Sequence, residues 1–326
     1  MIIKNKTIFV LGAGASEPFG YPFGEGLRKI ICQELNYLQI AQMLTSDHEK
    51  DMVPDTERAI NNFRTHFDKS GENSIDLFLK NNQEFRNLGK QLIAAALLHK
   101  ENEPLLFRRD DGKNWYIELW NNIDHTFENI DKHNMHFITF NYDRSLEHFL
   151  ITALYNSYSG KKVMGECAKK INSIEIIHVY GCLAPLPWQN QEEGRPYLSQ
   201  EANRRDLIRA TKNLFIIGEE RTGDAQATKL NRIQSLAKEA AYIYFLGFSY
   251  GDENLNILGD SFNKAGHIWG TSLGLGEVAK SKTKKLIKQK YANEPLNYLL
   301  EGRETKRFDL FDVDVATFLR QYMHLS

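Results

Sequence analysis

Thr7–Leu11 (TIFVL) is a short apolar run, β-branched at its start and closed by Gly12, the pattern of a strand buried on both faces. Four further runs share that form: Met135–Phe140, Ile174–Val179, Leu214–Ile217 and Tyr242–Leu246, with a weaker one at His267–Gly270. Between them the apolar period is helical. Phe23–Gln39 places Leu27, Ile30, Ile31, Leu35 and Leu38 on one face, and Ile75 to Leu97 does the same with Phe78, Leu79, Phe85, Leu88, Leu92, Ile93 and Ala96. Leu146, Phe149, Leu150, Ala153 and Leu154 continue the pattern after Phe140, and Val315, Phe318, Leu319 and Tyr322 form the last helix, Val313–Tyr322. Weaker helical sets occur at Ala59, Ile60, Phe63 and Phe67 and along Trp115–Ile130, and helices are expected at 229–240, 254–263 and 278–291.

This alternation predicts an α/β fold, a Rossmann-like parallel sheet flanked by helices. Residues 40–134 hold no convincing strand, so they are expected to be a largely helical insertion within one domain spanning 1–326. Loop 184–206, with Pro185, Pro187, Gly194 and Pro196, is long enough for a lid or an ordered surface loop.

Composition narrows the partners. With 41 basic and 42 acidic residues the net charge is −1, which makes no global case for a membrane surface and sets direct nucleic-acid binding aside. The six lysines of Lys280–Lys290 fit a solvated helix face. No run approaches the roughly 18 apolar residues that span a bilayer, and Met1–Lys6 is too short for a signal peptide, so a cytoplasmic protein is expected. Cys32, Cys167 and Cys182 form no CxxC pair and cannot alone make a four-cysteine zinc site. Reduced structural thiols are expected, with no zinc and no other cofactor.

Open parallel sheets bind ligands at the carboxyl ends of their strands, and polar residues stand there in turn. The first strand ends in Gly12-Ala13-Gly14-Ala15-Ser16, a tight turn whose bare backbone N–H groups suit a pyrophosphate. A hydride-transfer fingerprint is incomplete, because its third glycine falls at Glu17 and Glu34 lies within a helical pattern rather than at a strand end. Met135–Phe140 leads into Asn141-Tyr142-Asp143, Ile174–Val179 ends around His178, Tyr180 and Gly181, and Tyr242–Leu246 ends in Gly247-Phe248-Ser249-Tyr250-Gly251-Asp252. Each has a structural reading: Asn-x-Asp caps helices, a strand histidine sits in a core, and Gly-x-Ser makes turns. Four at one sheet edge define a candidate site.

GAGAS at 12–16, FNYD at 140–143, HVYG at 178–181 and GFSYGDENL at 247–255 resemble, in order and spacing, the sirtuin superfamily, most closely its bacterial branch of NAD-degrading antiphage effectors. SIDLFL at 74–79 is similar to a further feature of that family, whereas GTSL at 270–273 falls too late in the strand order and is taken as coincidence. The resemblance implies a hydrolase, an NAD+ glycohydrolase releasing nicotinamide and ADP-ribose, with NAD+ as substrate. It implies that Gly12, Ala13, Gly14 and Ser16 hold the phosphates and that Gly247, Ser249 and Asp252 hold the adenosine half, with Tyr180 and Gly181 beside them. Asn141 would orient the nicotinamide ribose and the attacking water, Asp143 would polarise that ribose or cap the following helix, and His178 would be the general base. A histidine titrating near ~6.5 suits that proton transfer. The family writes its histidine directly before glycine, where this chain has Tyr180. His178 lies two residues earlier, on the same strand face and roughly 6.5 Å away, so either side chain could hold the position.

An effector of this kind depletes NAD in abortive infection and is silent in healthy cells. The resemblance therefore implies a companion defence protein (an ATPase, an Argonaute-type or a nucleotide-processing subunit), a hetero- or homo-oligomer, and a nucleotide activator. Two alternatives stand beside it. One is a zinc-less protein deacylase or ADP-ribosyltransferase; the other is a non-catalytic regulatory subunit that binds NAD or a related nucleotide.

Overall fold

The computed structural model describes residues 1–109, 111–158, 162–197, 203–216, 219, 224–259, 267–291 and 307–323. Six strands, β1 (Thr7–Leu11), β2 (Met135–Thr139), β3 (Glu175–His178), β4 (Tyr242–Leu246), β5 (His267–Thr271) and β6 (Arg307–Phe311), form one all-parallel sheet in the order 3-2-1-4-5-6. Helices flank it, giving the α/β, Rossmann-like architecture. That strand order is the doubly wound one, whose direction of growth reverses between β1 and β4; ligands of such sheets bind at this reversal, beyond the carboxyl ends of the strands. All five residues of β1 are buried, as a central strand covered on both faces requires.

One register line of aromatic rings runs across the sheet. Phe9 pairs with Phe137 and with Tyr244, and Tyr244 pairs with Trp269. Phe9 lies 5.0 Å from Phe137 and 5.6 Å from Tyr244, ring to ring. Phe318, on the final helix Val315–Gln321, closes edge-on over Tyr244 at 5.9 Å. Asp314 starts that helix by accepting the Thr317 N–H.

Several elements differ from the sequence pattern, each for a local reason. The apolar residues around Leu214 are not a sheet strand: Leu214 makes one antiparallel bridge, to Gly181, and Ile217 lies outside the described residues. In its place β6, an edge strand with charged Arg307 and Asp309, completes the sheet. The helix expected over Phe23–Gln39 is broken: Glu25–Lys29 passes into a wide turn at Ile30–Glu34, Leu35 is extended, and Asn36 caps a new helix, Tyr37–Leu44. The long helix from Ile75 divides at Asn82, whose side chain takes the Phe78 carbonyl, into Ile75–Asn81 and Arg86–Leu98. The helix at Trp115 ends at Asn122. Among the described residues all the regular elements between β1 and β2 are helical, and residues 260–263 of the helix expected at 254–263 are not described.

The stretch 184–197 is an ordered strap rather than a free loop. Arg144 is 1% exposed and donates to the carbonyls of Ala184, Pro185, Arg195 and Pro196 while forking onto Glu101 at 2.8 and 3.2 Å. Arg195 reaches the same carboxylate, so one buried anion serves two cations. Residues 198–202 lie outside the described residues.

Where the sheet order turns, the loops after β1 and β4 interlock. Gly12 N–H donates to the Leu246 carbonyl at 3.0 Å and Gly14 N–H to the Gly247 carbonyl at 2.9 Å. A Cβ at Gly12 would stand 2.5 Å from the Gly247 oxygen and 2.6 Å from the Phe248 Cα, both backbone atoms that cannot swing away. Gly247, at φ +57°, is bound in return: its Cβ would meet the Ala15 nitrogen at 2.1 Å. Gly12→Ala is therefore expected to lower the urea midpoint by the equivalent of about 1–3 kcal/mol, the usual cost of overpacking. Gly251→Ala, with nothing within 4 Å among the described residues, should leave it unchanged. Equal midpoints for the two variants would contradict the interlock.

Candidate functional site

The Ser16 hydroxyl joins the ends of β1 and β2. It donates to Asp143 Oδ2 at 2.6 Å and accepts from Asn141 Nδ2 at 2.8 Å, while the same amide nitrogen donates to the Gly12 carbonyl at 2.9 Å. Asn141 Nδ2 thus spends both protons, which fixes the amide plane and settles which end is oxygen. Its Oδ1 takes no hydrogen bond among the described residues. Asp143 Oδ1 accepts the Ser145 N–H at 3.2 Å and the Ser145 hydroxyl, so the carboxylate caps the start of helix Ser145–Ser157. Burial pushes the Asp143 carboxyl above the ordinary range, against the hydrogen bonds from Ser145 and Ser16 that favour its charged form.

The glycine turn serves its neighbours more than an anion. Four of the five N–H groups of Gly12–Ser16 already donate to backbone carbonyls, those of Leu246, Gly247, Gly12 and Ala13; only the Ala13 N–H has no partner among the described residues. The expected row of bare donors is reduced to that position. Trp115 Nε1 holds the Ala15 carbonyl at 2.7 Å, a contact that tightens the turn further.

His178 stands at the end of β3, paired with Thr139. Its Nδ1 is 3.0 Å from the Asn141 carbonyl oxygen and its Nε2 is 2.6 Å from Glu147 Oε1. A general base needs a free nitrogen lone pair toward its substrate, and here both nitrogens are engaged within the protein. Tyr180, the residue before Gly181, is buried; its hydroxyl donates to Asn254 Oδ1 at 2.7 Å on the helix Asp252–Leu258, and its ring packs edge-on to Phe140. Gly181, at φ +76°, lets the Asn213–Leu214 backbone approach, since a Cβ would lie 1.7 Å from the Asn213 oxygen.

The structure therefore brings together Gly12, Gly14, Ser16, Asn141, Asp143 and Gly247, with His178 behind the Asn141 peptide. Ser249 and Asp252 are exposed, and Asp252 lies 3.8 Å from Lys282; no contact ties either to the Asn141 group among the described residues. The GTSL segment proves to be part of the same edge. Thr271 Oγ1 accepts the Gly247 N–H at 2.8 Å and its carbonyl accepts the Tyr250 hydroxyl at 3.0 Å, holding a loop in which Tyr250 adopts φ +59°. No group of three or more His, Cys, Asp or Glu assembles a metal site among the described residues. None of their helices is long and apolar enough to cross a membrane.

The helix Ile75–Asn81 reaches over this edge. Tyr142 Oη lies 2.8 Å from Asp76 Oδ1 and 3.0 Å from the Phe215 carbonyl, and Lys80 pairs with Glu253. One phenol proton cannot serve two acceptors fully, and burial raises the Asp76 carboxyl to about 6, against the Tyr142 hydrogen bond that favours its charge. Asp76 lies inside the SIDLFL motif, yet only the fold reveals what it touches. Glu147, Arg144 and Glu101 carried no comparable signal, since single charged residues within or beside helical patterns read as solvated.

Neither a protein-family model nor a curated protein matches the chain. The functional reading therefore rests on the sequence resemblance and on this geometry.

A pH dependence of stability follows from Asp76. An unfolded aspartate titrates near ~3.9, so between that value and about 6 the native chain keeps a proton that the unfolded chain has lost, and stability falls as pH rises through the window. Asp76→Asn removes the effect. Its urea midpoint should gain on wild type progressively as pH rises through this window and by a constant amount above about 6. A difference independent of pH would contradict the assignment.

Proposed function

We propose that the chain hydrolyses the N-glycosidic bond of NAD+. The observation that carries the reading is Asn141: its amide is clamped through Nδ2 by Gly12 and Ser16, beside the point where the sheet order reverses, and Oδ1 has no partner among the described residues. An oriented amide oxygen can hold a ribose hydroxyl or a water against the anomeric carbon. In the reaction the C1′–N bond breaks and its electron pair leaves with nicotinamide. The water oxygen bonds to C1′, and the water proton passes to solvent. Positive charge develops on the sugar, so a fixed carbonyl dipole next to it lowers the barrier without a covalent adduct. The buried Asp143 carboxylate adds negative potential when ionised, and it keeps Ser16 and the following helix in place.

This role does not require His178 as a base. Nicotinamide leaves readily, and orienting the water accounts for the amide's contribution. The same engagement of both His178 nitrogens favours one other reading, a subunit that binds NAD and regulates a partner without turnover. The antiphage context, the companion protein and a nucleotide activator belong to the proposal through the sequence resemblance alone.

Purified protein incubated with NAD+, alone and with the product of the neighbouring gene, should release nicotinamide and free ADP-ribose. Asn141→Ala should lower kcat by about 100-fold or more, the scale of losing an oriented polar group at the reacting centre. NAD+ bound without turnover in any condition would favour the regulatory subunit, and acceptor-linked ADP-ribose would favour the transferase. Neither turnover nor binding would refute both.

A further inference from the structure

We propose that Glu147 is a positioning residue of this site, acting through His178: the carboxylate holds the imidazole so that Nδ1–H grips the Asn141 main-chain carbonyl and fixes the peptide that carries the Asn141 amide. The inference deepens the reading above in what it says the amide is for, while the contacts themselves stand apart from it. Glu147 lies in the first turn of helix Ser145–Ser157 and is 3% exposed. A carboxylate so deeply placed needs a partner, and among the described residues it finds His178 Nε2 at 2.6 Å. The imidazole then continues to the Asn141 carbonyl at 3.0 Å.

The chain between the two ends is closed into a ring. Asn141 and Glu147 are six positions apart, and the start of the helix is locked by Asp143 on the Ser145 N–H. His178 cannot drift, because it ends β3 in register with Thr139 and its own carbonyl takes a hydrogen bond from Lys229 at 3.2 Å. Both faces of Asn141 are thus constrained. Gly12 and Ser16 hold its amide from the front, and His178 holds its peptide from behind.

The partners also dictate protonation. A main-chain carbonyl can only accept, and an ionised carboxylate can only accept, so the ring between them needs a proton on each nitrogen. Burial opposes that charge, but the Glu147 carboxylate, with the Asn141 carbonyl and Asp143, outweighs it and raises the histidine above its ordinary value. Among the described residues Lys229 donates to the His178 carbonyl, and Cys182 shares the fields of Glu147 and Lys229. Placed between two acceptors, the histidine serves as an imidazolium clamp, the opposite protonation state from a base. By the same sign, its contribution to stability is full below the unfolded value near ~6.5 and is lost as pH rises through the raised folded value.

The test is proton NMR on the full chain selectively labelled with nitrogen-15 at histidine and asparagine, with His178 assigned by its absence in His178→Gln. In wild type at neutral pH both His178 nitrogens should carry protons, and the Asn141 side-chain amide should give one sharp pair of signals. In Glu147→Gln the histidine should titrate below ~6.5, and the Asn141 pair should broaden or split. Thermal melting checks that the variant is folded. Glu147→Asp, which keeps the charge on a shorter arm, should retain the imidazolium and serves if Glu147→Gln does not fold. In the NAD+ assay Glu147→Gln should lower kcat about tenfold or more with KM changed less than threefold, the signature of lost positioning rather than lost binding. A singly protonated His178 in wild type, or an Asn141 signal indifferent to Glu147→Gln, would overturn the proposal. Absence of turnover in wild type would instead overturn the glycohydrolase reading, and the spectra would still decide the clamp.

Discussion

The structure depends on one hydroxyl. Ser16 accepts from Asn141 and donates to Asp143, so the loop after β1 and the loop after β2 share a single oriented O–H group. A hydroxyl can do both at once because it carries a proton and two lone pairs. A hydrogen bond of this kind contributes only about 0.5–1.5 kcal/mol net, yet a buried polar group stripped of its partner costs about 1–3 kcal/mol. With Asn141 and Asp143 both buried, the second figure governs. Without it one amide proton of Asn141 and one oxygen of Asp143 would lose their partner.

Two further constraints hold that hydroxyl where it is needed. The glycine loops after β1 and β4 touch backbone to backbone, which brings the ends of adjacent strands closer than any side chain would permit. On the other side, Arg144 follows Asp143 directly and pins the strap 184–197 to the buried Glu101. Such a triplet of buried charges is a weak source of stability compared with apolar packing, but breaking it by removing one partner is costly, about 3–5 kcal/mol. Its consequence is positional. Asn141, Asp143 and Arg144 are consecutive or nearly so; the first two tie this short segment to the loop after β1, and Arg144 ties it to the strap and to Glu101.

Much of this was legible in the sequence, for identifiable reasons. β1, β2 and β4 were visible because strands covered on both faces are continuous apolar runs, and Gly12–Ser16 and Asn141–Asp143 follow two of them directly. Helix boundaries were less so, since single asparagines at 36 and 82 restart or end helices through side-chain hydrogen bonds that periodicity does not register. β6 was hidden by the alternating charges of an edge strand, whereas Leu214 looked like a strand and makes a single bridge. At the site, the position of His178 could be read but its partners could not. Glu147 sits on a helix that reads as amphipathic, and the carbonyl that His178 grips belongs to the backbone, where residue identity carries no information. The same holds for the glycine turn. Its residues suggested free N–H groups, and the fold spends four of the five on its own carbonyls.

The central claim is that Asn141 marks the reacting centre of an NAD+ site at the reversal of the sheet. A crystal structure of Asn141→Ala grown with NAD+ tests it most directly. The account predicts NAD+ lying across the carboxyl ends of β1 and β4, with its nicotinamide ribose beside the position vacated by the amide. NAD+ bound at another part of the chain, or no NAD+ in the crystal at concentrations that saturate the protein in solution, would contradict it.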